Sequence, residues 1–265
     1  MGVKSSITLE ELNTLFDTYN FIRLTPTTDG VMDTTYIAAT EDKSYILKHY
    51  ERDISQKIQR DTDLLKILST TLNVPSLIAS SNVWYLYKKL PGKTPKNINY
   101  NHISALARFL SALHIQSKNF KGSPAFIENY PLTDILNATK KQLFSHYKKL
   151  ADLQTYNPRC DGFIHGDIFK DNTVFDGNKI GVFDFIDGGC GSFVFDIAVA
   201  LLAFNPTNKQ SYNRLFLQTY NQYSRNKISL EYLEKNRKTA AKLYALLRID
   251  KYQNTKKANE LIRYI

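Results

Sequence analysis

The sequence predicts an α+β chain of two lobes, a small antiparallel-sheet lobe followed by a larger, mainly helical one. Three observations predict this. Residues 1–90 are dominated by short apolar runs with hairpin punctuation, residues beyond 91 by helical periodicity, and Leu90-Pro91-Gly92 breaks the pattern between them. The expected lobes are therefore residues 1–90 and 91–265.

Each element has its own signal. Tyr36 to Ala39 and Ser44 to Lys48 flank Glu41-Asp42-Lys43 and read as a hairpin. Ile54 to Leu68 reads as a helix, with Ile54, Ile58, Leu65 and Leu68 on one stripe. Val83 to Leu90 is aromatic and apolar, a buried strand. His102 to Ser117 places Ile103, Leu106, Ala107, Leu110 and Leu113 on one helical face. Thr133 to Leu153 is a second, more polar helical stretch. Short strands return between Gly162 and Phe185, and the chain is helical again from Asp196, through Lys238 to Ile249.

Composition narrows the class. In 265 residues, 43% hydrophobic and 12% aromatic content is enough for a sizeable core. No apolar run approaches the roughly 18 residues of a membrane span, and Met1 to Leu12 has no apolar signal core, so a cytoplasmic protein without a membrane partner is expected. The net charge of +10 is spread over scattered lysines with no long basic run. A solvated surface that attracts an anionic substrate fits this better than nucleic-acid binding. Cys160 and Cys190 form no framework and read as reduced thiols. Oligomeric state is not legible.

The stretch that carries chemistry is Phe163 to Phe185. Thr173 to Phe175 and Ile180 to Phe183 are short apolar strands, and Asp176-Gly177-Asn178 between them is a hairpin turn. Such a hairpin brings Asn172 and Asp184 to one end, with Asp167 on the loop just upstream. An amide oxygen and a carboxylate suit Mg2+, which takes few protein ligands and leaves room for phosphates and water. Asp, Asn and Gly also favour turns for purely structural reasons, but their order around a hairpin is harder to explain that way.

His165-Gly166-Asp167, with Asn172 five residues on and Asp184 beyond the hairpin, resembles the catalytic region of the protein-kinase-like fold. The resemblance implies that Asp167 accepts the substrate hydroxyl proton, that Asn172 and Asp184 bind the metal, and that His165 braces the loop. His165-Gly166-Asp167 and Asp184-Phe185-Ile186 depart from the protein-kinase motifs and point to the superfamily of aminoglycoside phosphotransferases, choline kinases and homoserine kinases. Phe195-Asp196-Ile197-Ala198 resembles that superfamily too. Asp196 is expected to be structural at the site, either tying the loop to the next helix or capping that helix.

The same resemblance implies ATP and Mg2+ as cofactors and places nucleotide-binding residues in the first lobe. Lys48 ends an apolar strand and is expected at the phosphates. Asp61, inside the apolar stripe of the next helix, is its expected ion-pair partner because a lone carboxylate there would be costly. Thr28 and Gly30 would cover the phosphates, and Lys88 and Leu90 lie in the connection expected to meet adenine.

Within the superfamily the chain is most similar to bacterial homoserine kinases. The similar segments are Ile7 to Leu12, Tyr45 to Glu51 and Asp167-Ile168-Phe169-Lys170-Asp171-Asn172. It departs from them at Asp33-Thr34-Thr35-Tyr36, at Gly166 and at Phe185 to Gly189. The implied activity is phosphorylation of a small-molecule alcohol, L-homoserine to O-phosphohomoserine for threonine biosynthesis. An aminoglycoside or amino-sugar phosphotransferase and a choline kinase are the alternatives, and an inactive kinase-like binding protein is the alternative of another class. Asp187, three residues past Asp184, reads first as a turn residue before Gly188-Gly189 and second as a candidate for a substrate ammonium.

Overall fold

The first helix of the computed structural model, α1 (Leu9–Leu15), starts at a reciprocal cap. The Thr8 hydroxyl accepts from Glu11 N at 3.1 Å, and the Glu11 carboxylate accepts from Thr8 N at 2.7 Å. Residues 3–27, 33–120, 123–252 and 255–263 are described.

Strands β1 (Arg23–Pro26), β2 (Thr34–Ala39) and β3 (Ser44–His49) follow, then helix α2 (Ser55–Leu68) and strands β4 (Leu77–Ser81) and β5 (Trp84–Lys88). They form one antiparallel sheet in the order β1-β2-β3-β5-β4. The β2–β3 register, Thr34↔His49 to Ala39↔Ser44, leaves the turn that Glu41-Asp42-Lys43 signalled. Strands β1 and β4 had no legible alternation; both lie at sheet edges and are largely exposed or half-buried, so no apolar face marks them.

The remaining elements are mainly helical. They begin with α3 (Tyr100–Ser117), α4 (Leu132–Gln142) and α5 (Phe144–Leu150). The short strands β6 (Gly162–Ile164), β7 (Thr173–Asp176), β8 (Lys179–Val182) and β9 (Gly189–Gly191) come next. Helices α6 (Phe193–Phe204), α7 (Gln210–Tyr223), α8 (Leu230–Tyr252) and α9 (Thr255–Ile262) complete the chain. The continuous helix expected over Thr133 to Leu153 is broken at Leu143, whose backbone (φ −137°, ψ 63°) leaves the helical region. The β7–β8 turn is Gly177-Asn178, and Gly177 takes φ +58°, which a residue with a Cβ adopts only under strain.

The chain divides into two compact units. Unit 1 is Met1–Lys93 with Val174–Ile186, and unit 2 is Thr94–Thr173 with Asp187–Ile265. The hairpin joins unit 1 through a parallel bridge from Gly181 to Asn73 and an antiparallel one from Phe175 to Lys93. The sheet core of unit 1 contains Leu12, Phe16, Phe21, Ala38, Leu47 and Leu86.

Unit 2 is organised around α6, which is apolar on nearly every face and almost wholly buried. Its C-terminal carbonyls are met by Arg237 of α8, itself 1% exposed, which donates to Leu201 O and Asn205 O at 3.3 and 3.2 Å. The two cysteines correct an expectation. Cys160 and Cys190 are paired as a disulfide, with Cα atoms 5.3 Å apart. The antiparallel pairing of β6 with β9 sets Cys190 opposite Phe163, so residues 30 apart in sequence meet at one end of β6.

Candidate active site

Of the three motif residues, Asp167 and Asn172 belong to unit 2 and Asp184 to unit 1. In unit 1, β3 projects Lys48 so that its Nζ lies 2.6 Å from Asp184 Oδ1 and 3.8 Å from Asp33 Oδ2. The ammonium also sits 4.7 Å from the centre of the Tyr50 ring. This corrects the expected pairing with Asp61. Asp61 is buried on α2, but the carboxylates that meet Lys48 come from the end of β8 and the start of β2.

Asp184 is held in the left-handed region at φ +70°, one of three non-glycine residues there among those described. Such a backbone costs roughly 1–2 kcal/mol and persists where the surroundings over-determine it, which is typical of functional positions. Its neighbours supply that constraint. Phe185 and Ile186 are buried, Ile186 packs with Tyr50 and Ile54, and Arg60 donates to Ile186 O at 2.8 Å.

Beneath Lys48 the hydroxyls of Tyr50 and Tyr87 meet at 3.1 Å. Burial is the first cause that pushes both phenols up, and the negative charges of Asp184 and Asp61 add to it. Asp33 was missed as a site residue, although the departure at Asp33-Thr34-Thr35-Tyr36 marks its position. It is buried and accepts from Glu51 N and the Arg52 guanidinium at 3.2 and 3.4 Å.

In unit 2, β6 delivers the chain into His165-Gly166-Asp167. Gly166 takes φ +75°, and a Cβ there would lie 2.1 Å from the Phe126 ring, so the loop admits only glycine. Asp196, on the first turn of α6 and fully buried, accepts from Gly166 N at 2.7 Å and His165 N at 3.1 Å. Its Oδ2 also meets His114 Nε2 at 3.1 Å, and His114 Nδ1 meets Tyr220 Oη at 2.9 Å. The N-cap of α6 is Ser192, so of the two structural roles expected of Asp196 it fills that of loop tie.

His165 is 1% exposed, and its Nδ1 accepts from Asp167 N at 3.2 Å, the geometry of a brace. Asn172 Nδ2 donates to the Asp167 backbone carbonyl at 2.8 Å and to its Oδ2 at 3.1 Å, which fixes the Asp167 carboxylate. The Tyr244 hydroxyl donates to Gly166 O. His114, Tyr220 and Tyr244 sit on helices that looked like ordinary packing elements, and nothing in their sequence context distinguishes them.

These contacts bear on a metal. Lys48 engages one oxygen of Asp184, and Asp167 engages the amide nitrogen of Asn172. The atoms that remain, Asp184 Oδ2 and Asn172 Oδ1, are hard oxygen donors of the kind Mg2+ takes. Among the described residues no group of three His, Cys, Asp or Glu side chains could hold a metal. Each of these oxygens, taken by itself, is of a kind that fits magnesium.

The other expected positions stand as follows. Lys88 is exposed at the end of β5, and its N–H donates to Ser76 O at 2.9 Å. Leu90 is buried, Asp187 is half-buried with its carbonyl accepting from Asn129 Nδ2 at 2.9 Å, and Thr28 and Gly30 lie outside the described residues. No helix among the described residues is long and apolar enough to cross a membrane.

Comparison with known proteins places this arrangement. The chain is 26% identical over 228 residues to the homoserine kinase of Janthinobacterium sp. (strain Marseille), covering 76% of this chain and 71% of that protein. It is 28% identical over 232 residues to the homoserine kinase of Methylocella silvestris, covering 77% and 72%. Among solved structures it superposes on an amicoumacin kinase in complex with AMP-PNP, Ca2+ and Ami with a TM-score of 0.71, at 18% identity and 96% and 92% coverage. The choline kinase LicA of Streptococcus pneumoniae gives 0.66 at 15% identity, covering 95% of each chain. These superpositions confirm the α+β fold class, a small antiparallel sheet followed by a mainly helical part. The family model described as the phosphotransferase enzyme family matches residues 23–228, more than three quarters of the sequence. The chain therefore belongs to the phosphotransferase enzyme family, and it is a small-molecule phosphotransferase.

Proposed function

We propose that the chain transfers the terminal phosphoryl group of ATP, with Mg2+, to the hydroxyl of L-homoserine, giving O-phosphohomoserine as a step toward threonine. The observation that carries this reading is the loop Asp167-Ile168-Phe169-Lys170-Asp171-Asn172, in a chain whose relatives cited above are named homoserine kinases. The Asp167 carboxylate, steadied by Asn172, accepts the proton as the acceptor hydroxyl attacks phosphorus. Lys48 binds donor phosphates, and Asn172 and Asp184 would each offer an oxygen to the metal. Magnesium, when bound, neutralises charge on the phosphates. Asp196, His165 and Tyr244 hold the loop that carries Asp167 and take no part in proton transfer.

The test is ADP release with L-homoserine, choline and kanamycin at equal concentration. Turnover with homoserine well above the other two is expected. If homoserine gives no more than buffer while another compound is phosphorylated, the homoserine reading is lost and the family assignment stands.

A further inference from the structure

One face of α8 lines the loop that carries Asp167. Tyr244, Arg248 and Lys251 stand at i, i+4 and i+7 on that helix. The Tyr244 ring packs 5.1 Å from the Phe169 ring, and its hydroxyl is bonded to Gly166 O, so this residue reaches both sides of Asp167. One turn on, the Arg248 guanidinium lies 6.0 Å from the centre of the Phe169 ring. Lys251 Nζ lies 5.4 Å from the centre of the Tyr130 ring. Tyr130 follows Asn129, whose amide holds the carbonyl of Asp187. Unit 2 thus sets the Tyr244 and Phe169 rings and the Arg248 guanidinium beside the Asp167 loop.

Burial first, and then the Asp167 carboxylate, push the Tyr244 phenol up, while Arg248 pulls it back. Opposite charges on Asp167 and Arg248 therefore act on the same buried hydroxyl. A polycationic acceptor approaching this loop would be repelled by Arg248, whereas a carboxylate would meet a planar two-pronged donor.

We propose, resting on the kinase reading above, that Arg248 binds a carboxylate of the acceptor and so selects hydroxy and amino acids over cationic or neutral alcohols.

The experiment compares L-homoserine with 3-aminopropan-1-ol, which is the same molecule without its carboxylate, in the wild type, R248K and R248M. The wild type is expected to prefer homoserine. In R248M that preference should fall about 10- to 100-fold, chiefly through KM for homoserine, the loss expected when hydrogen bonds to a charged group are removed. R248K should retain part of it, since it keeps the charge and loses the fork.

If R248M slows both acceptors alike, Arg248 only braces Phe169 and the proposal fails while the kinase reading stands. If the wild type ignores homoserine but phosphorylates 4-hydroxybutanoate in an Arg248-dependent way, the homoserine reading fails and this proposal stands. If only kanamycin or choline is phosphorylated, both fail. Thermal melts of each variant exclude misfolding, and R248K serves if R248M does not fold.

Discussion

Lys48 and Asp184 are 136 residues apart in sequence, and their side chains meet at 2.6 Å. The Lys48 side chain is 13% exposed and that of Asp184 35%, so the pair is partly shielded and its cation also faces Asp33. Removing the cation leaves two carboxylates without their shared partner. Lys48→Ala is expected to weaken Mg-nucleotide binding by about tenfold or more, as loss of a charge-assisted contact does. Asp184→Ala should weaken it through the metal instead, seen as a loss of Mg2+ dependence. Titration calorimetry with Mg·ADP reads both, and unchanged binding in either variant would remove that residue from the nucleotide site.

Asp167→Asn keeps an oxygen that can accept from Asn172 Nδ2 and removes only the basic carboxylate. Turnover is expected to fall about 10²- to 10⁴-fold, the usual contribution of a positioned general base, with nucleotide binding retained. Near-normal turnover would take Asp167 out of the base role.

Asp196 satisfies two buried backbone N–H groups and a buried histidine at once. Asp196→Ala strands all three, and breaking a buried network of this kind costs about 3–5 kcal/mol. Asp196→Asn keeps an acceptor for Gly166 N and should lose less. Urea unfolding of the two variants ranks them. A stable Asp196→Ala protein would show that the loop is held by other contacts, with Tyr244 the first to test.

Four buried tyrosines, Tyr50, Tyr87, Tyr220 and Tyr244, and the half-buried Tyr156 have phenols pushed up, in each case first by removal from water. Their folded values lie above the unfolded value of about 10. The sign follows: the stability they contribute is intact below about pH 10 and is lost as pH rises toward the folded values. Alkaline titration should show these phenolates appearing together with loss of circular dichroism. Their ionisation before any loss of structure would contradict the burial assigned to them.

What the sequence determined by itself was local. The hairpins at Glu41-Asp42-Lys43 and Gly177-Asn178, the periodic helices α2 and α3, and the spacing of Asp167, Asn172 and Asp184 all follow from turn chemistry and short-range period. What only the tertiary structure decided was pairing. Lys48 found Asp184 and Asp33 rather than Asp61, because the β2–β3 register and the end of β8 bring those carboxylates to its ammonium, and helical phase alone cannot report a partner so distant in sequence. Cys160 met Cys190 through the β6–β9 register. Asp196, His114 and Tyr244 became the supports of the Asp167 loop because buried backbone groups must be satisfied by whatever donor or acceptor the packing of α3, α6 and α8 presents. That demand is set in three dimensions, and it leaves no periodic trace in the chain.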